Sequence, residues 1–95
     1  MTVNICGIKH EIIEVDDVFD GGNCGMIDHI KSEIYINKKL SKEARKETIC
    51  HEIIHGILVH LGYNELSTNE TLVQGLGNAI CQGFEIIEQK SNTKQ

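Results

Sequence analysis

At Ser41 the hydrophobic pattern of this chain changes period. Up to that point apolar residues come in short β-branched runs, at residues 3–8, 11–15, 26–30 and 33–37. Beyond it they recur every three or four residues as far as Gln89. The first pattern specifies strands and the second amphipathic helices, so an α+β chain is expected, its strands preceding its helices. Lys9 and His10 part the first two runs, which predicts a short hairpin there. His10 and His29 are placed on strands, as surface residues. Residues 16–25 hold three Asp, three Gly and an Asn, which is loop chemistry. In Glu33–Asn37, Ile34 and Ile36 alternate with polar neighbours, the pattern of an antiparallel strand near a sheet edge.

Ser41 is a good N-cap with Glu43 in the first turn below it, and Gly62 is a good stop. A helix is therefore predicted to run to Leu61. Ser67 or Thr68 is expected to cap a second helix ending near Gln89, followed by a polar, frayed tail at residues 90–95. Gly75, Gly77 and Gly83 would each cost that helix roughly 1 kcal/mol against Ala, a cost offset if they let it press on its neighbour.

The chain has 95 residues, enough for one domain, placed at residues 1–89. With 40% hydrophobic and 24% charged residues it belongs with folded proteins. Phe19, Tyr35, Tyr63 and Phe84 are the only aromatics, so the core must be aliphatic. A net charge of −5 without a basic cluster excludes nucleic acid as a partner. The longest apolar stretch, residues 53–61, is broken by His55 and His60 and is too short for a membrane span. Residues 1–4 lack the basic, apolar start of a secretory signal. Cys6, Cys24, Cys50 and Cys81 show no CxxC spacing, which suits reduced thiols and a cytoplasmic location.

His51-Glu52-Ile53-Ile54-His55 is an HExxH motif inside the first predicted helix. Two His four apart on a helix project about 40° apart, so both can reach one metal ion. Glu52 is offset to the side where a general base for water would stand. Ile49, Ile53, Ile54, Ile57, Leu58 and Leu61 fill one half of that helix, with the His pair just beyond its border and Glu52 further round. That border is where a ligand pair can lean on the protein yet face a cleft. His60 projects about 140° from His55 and cannot join it on a regular helix. The alternative for the pair is two solvated imidazoles on a boundary face.

A catalytic zinc wants three protein ligands and one open position. Glu70 is the best third candidate, because it borders an apolar arc of Leu72, Val73, Leu76, Ile80, Phe84 and Ile87, beside Gln74 and Cys81. Antiparallel packing through the connection at residues 63–66 would turn it toward the His pair. Ser67-Thr68-Asn69-Glu70 also fits a capping box, in which Glu70 only caps its helix. Glu65, Glu85, His29 and Cys24 are the remaining candidates.

The stretch from Thr48 to Ile80, with HExxH followed by Glu70-Thr71-Leu72-Val73-Gln74-Gly75-Leu76, resembles small metallopeptidases of the ImmA/IrrE-like group. Short versions of that kind are typically encoded by phages and mobile elements of Gram-positive bacteria. Gly25-Met26-Ile27-Asp28 and Glu33-Ile34-Tyr35-Ile36-Asn37 look like the strands that precede the active helix there. The resemblance implies a zinc-dependent endopeptidase, with His51 and His55 as ligands, Glu52 as catalytic base and an acidic ligand on the next helix. Longer members place that acidic residue further from the second His than Glu70 stands from His55. No helix-turn-helix module is appended, so regulation by direct DNA binding is not implied.

The expected architecture is a minimal zincin: a small antiparallel sheet of three or four strands packed on two long helices, with Zn2+ between them. The partner is a protein or peptide substrate, which the strand Glu33–Asn37 could align by strand addition. Glu52 would take a proton from water and pass it to the leaving amine. Tyr63 is a candidate donor to the developing oxyanion, against a plain loop tyrosine. Cys50 projects into the apolar arc as a buried thiol. Asp16, Asp17 and Asp20 lack the ligand spacing of a calcium loop. Two other functions compete. A non-catalytic zinc could staple a small core, closing its fourth position with His60, His29 or Cys24. A metal-free interaction module would hold no zinc at all.

Overall fold

The computed structural model describes residues 1–16, 18 and 24–83. Four strands, β1 (Thr2–Ile5), β2 (Ile8–Val15), β3 (Gly25–Asp28) and β4 (Glu33–Asn37), precede three helices, α1 (Lys42–His60), α2 (Asn64–Ser67) and α3 (Glu70–Gln82). The α+β class and the order of its halves are as expected. The sheet is mixed rather than antiparallel. Its order is β1-β2-β4-β3, with β2 and β4 parallel and the other two pairs antiparallel. Glu33–Asn37 is therefore an interior strand, and the strand at that edge of the sheet is β3. Residues 16–32 give the chain enough length to return β4 alongside β2.

Local chemistry explains other differences. The hairpin turns at Cys6 and Gly7, both at positive φ, with Ile5 opposite Ile8; that two-residue turn type matches the twist of paired strands. Lys9 and His10 thus lie within β2. His10 is buried rather than on the surface, its Nδ1 2.8 Å from the Ile8 carbonyl oxygen. β3 ends at Asp28, whose Oδ1 accepts from the backbone N–H groups of Ile30 and Lys31, so His29 lies in a turn and not on a strand. Asp16 pairs with Lys38, which holds its carboxyl below the usual range. Asp17, Phe19 and Asp20 lie outside the described residues, as do Phe84, Glu85, Ile87, the predicted last turns to Gln89 and the tail.

Helix α1 begins as predicted, with the Ser41 hydroxyl accepting from the Ala44 N–H, and Gly62 at φ +87° turns the chain away at its end. It lies between two layers. Toward the sheet, Ile49, Ile53 and Ile57 pack on Ile5, Ile12, Ile27, Ile34 and Ile36. Toward α3, Ile54 and Leu58 pack on Val73 and Leu76. Leu61, assigned to the same apolar face, follows the last helical residue as its C-cap and is 58% exposed. Ile80 on α3 is likewise exposed.

Two glycines set how closely the layers approach. A Cβ on Gly56 would stand 3.1 Å from the Cδ1 atoms of Ile5 and Ile27, so α1 sits low on the sheet one turn after Glu52. A Cβ on Gly77 would meet the His51 backbone nitrogen at 3.5 Å, so α3 rides against the metal-motif turn of α1. Gly75 has no neighbour within 4 Å and makes no such contact. No described helix is long and apolar enough to cross a membrane.

Candidate metal centre

The centre is built where α1 and the start of α3 face each other. His51 and His55 lie one turn apart on α1, with their Nε2 atoms 3.2 Å from each other. Glu70 is the first residue of α3. Its Oε1 lies 2.8 Å from His51 Nε2 and 3.2 Å from His55 Nε2. Short helix α2 reverses the chain between them, and Asn69 starts α3 by accepting from the Leu72 N–H. The expected cap at Ser67 or Thr68 is thus displaced. The capping box that would have explained Glu70 does not form.

Ser67 has a different partner. Its buried hydroxyl lies 3.0 Å from His55 Nδ1. Gln74 Oε1 lies 2.7 Å from His51 Nδ1. Each imidazole is thus held from behind through Nδ1 and directs Nε2 at Glu70. Neither supporting residue was identified from sequence. Gln74 had a signal, since it follows Glu70 by one helical turn on the same face. Ser67 had none, because its contact depends on how α2 reverses the chain.

The three donor atoms form the one group among the described residues able to hold a metal ion. Ligands bound at about 2.0–2.1 Å to a single ion stand roughly 2.9 Å apart in octahedral and 3.4 Å apart in tetrahedral geometry. The observed separations of 2.8, 3.2 and 3.2 Å fall in or near that range. Two imidazoles and a carboxylate suit a first-row transition metal better than calcium, which takes oxygen ligands. The imidazole side chains are 20% and 13% exposed whereas Glu70 is 67% exposed, so the group opens to solvent on one side.

Beside it lies a cleft of about 670 Å³, walled by α1, α3 and the edge strand β3. Glu52 reaches this cleft although only 6% of its surface is exposed. Among the described residues, none hydrogen-bonds its carboxylate. Burial pushes the Glu52 carboxyl up to about 7, opposed by His51 and reinforced by Glu70. A carboxyl in that range can exchange protons near neutral pH.

The other candidates separate cleanly. Cys24 and His29 line the cleft without joining the donor group. Burial, then the nearby His55 and His10, hold the His29 imidazole below its usual range. His60, Glu65 and Tyr63 are exposed and do not line the cleft. Burial and the adjacent Cys81 push the Cys50 thiol up to about 12, which suits a buried, protonated side chain. No protein-family model, curated protein or solved structure matched the chain.

Proposed function

We propose that this chain is a zinc-dependent endopeptidase acting on a protein or peptide partner. The observation that carries the proposal is the convergence of His51, His55 and Glu70 beside Glu52, which is only 6% exposed yet lines the same cleft. Three donors open to solvent, with a base next to them, suit a catalytic site better than a structural one, which wants a fourth protein ligand. A bound zinc ion would supply Lewis acidity, polarising the scissile carbonyl and acidifying water. Glu52 accepts the proton of the attacking water and delivers it to the departing amine. Gln74 and Ser67 hold the two imidazoles so that their Nε2 atoms stay directed inward.

Substrate alignment falls to β3 and not to β4, whose two sides are both paired. The Asn37 N–H donates to the Cys24 carbonyl. Alternation along the antiparallel pair then turns the backbone groups of Gly25 and Ile27 away from β4. An extended peptide can pair with that edge while it crosses the donor group. The resemblance to ImmA/IrrE-like peptidases extends the proposal to a phage or host regulator as the substrate. The test is to incubate candidate regulators with zinc-loaded wild-type protein and Glu52→Gln, then map any cleavage. Cleavage by wild type and none by Glu52→Gln is expected. Equal cleavage by both would remove Glu52 from the reaction.

A further inference from the structure

Behind the donor group, a chain of hydrogen bonds with one possible polarity links α1 to α3. Gln74 Nε2 lies 2.9 Å from Glu47 Oε1 and 3.3 Å from Asn78 Oδ1, while Gln74 Oε1 lies 2.7 Å from His51 Nδ1. A carboxylate has no proton to give, so the Gln74 atom facing Glu47 is the amide nitrogen. The atom facing His51 is then the amide oxygen, which only accepts. His51 must donate from Nδ1; Glu70 Oε1, 2.8 Å from Nε2, is also an acceptor, so a neutral ring leaves two lone pairs facing one another, an arrangement that a shared cation satisfies.

We infer that Glu47 and Gln74 are positioning residues that lock His51 in the Nδ1–H tautomer and so preset it to ligate a metal ion through Nε2. The contact behind His55 differs in kind, because the Ser67 hydroxyl can donate or accept and imposes no tautomer. The lock is therefore specific to His51. Spacing supports the arrangement: Glu47 and His51 are one turn apart on α1, and Gln74 and Asn78 one turn apart on α3. The inference rests on the metal-centre reading for its purpose, yet the tautomer can be observed without metal.

Long-range 1H–15N spectra of the imidazoles, recorded on metal-free protein at alkaline pH, should show His51 protonated at Nδ1. Gln74→Leu should lose that signature and bind zinc about ten- to a hundredfold more weakly in chelator competition. The double variant Gln74→Glu/Glu47→Gln reverses the chain but keeps an acceptor at Nδ1. It should restore both the tautomer and, to within about threefold, the affinity. If Gln74→Leu fails to fold, Glu47→Gln replaces it, with mixed His51 tautomers expected because the amide is then free to flip. An Nε2–H tautomer in the wild-type protein would overturn the inference. So would a Gln74→Leu protein with unchanged tautomer and affinity. Zinc failing to bind the wild type would reject the metal centre, leaving the spectra alone to decide the lock.

Discussion

The Ser67 hydroxyl stands 3.0 Å from His55 Nδ1, although the two residues are separated by the whole α1–α2 reversal. A residue that reads locally as a helix cap is instead a support for a metal-ligand candidate. Ser67→Ala should retain the fold, at a cost of about 1 kcal/mol for the lost buried hydrogen bond. It should weaken zinc binding about tenfold. Chelator competition alongside urea denaturation checks both numbers, and undiminished affinity would deny the support.

Glu52 makes the metal-free protein sensitive to pH. Its carboxyl rises from an ordinary 4.5 to about 7 on folding, because burial disfavours the charged form. Between those values the native state binds more protons than the unfolded state, so stability falls as pH rises. The contribution is fully present below pH 4.5 and is lost above about pH 7, with a total of about 3 kcal/mol. Urea denaturation of metal-free wild type and Glu52→Gln across this window should diverge by that amount. Parallel curves would show that Glu52 ionises freely in the fold.

Glycines on the two helices should respond in opposite directions. Gly75 has open space around its Cα, so Gly75→Ala should stabilise α3 by about 1 kcal/mol. Gly56 is pressed on Ile5 and Ile27, so Gly56→Val should overpack that contact and destabilise by about 1–3 kcal/mol. Thermal or urea unfolding separates the two. Destabilisation by Gly75→Ala would mean that α3 is packed differently.

If substrate adds to the sheet at β3, its backbone protection will alternate. A non-hydrolysed peptide bound to Glu52→Gln should slow amide exchange at Gly25 and Ile27. Met26, already directed at β4, should change little. Uniform or absent protection along β3 would place the peptide elsewhere.

What could be read from sequence followed the range of each interaction. His51, Glu52 and His55 were legible because a five-residue stretch of one helix fixes their relation, and Glu70 because an apolar arc oriented its helix. The parallel pairing of β2 with β4 leaves no local mark: the alternation in Glu33–Asn37 looks the same at an edge or in the interior. The Cys6–Gly7 turn was readable in principle, but the polar pair Lys9-His10 competed with it. His10 was misplaced on the surface because its burial depends on the sheet it joins. Ser67 was hidden by its distance along the chain from His55.

The most direct test of the central claim is X-ray absorption at the zinc edge of protein loaded with one equivalent of zinc. The account predicts retained metal in a shell of two imidazole nitrogens and oxygen, without sulfur. A zinc–sulfur shell, or a protein that does not retain zinc, would contradict it.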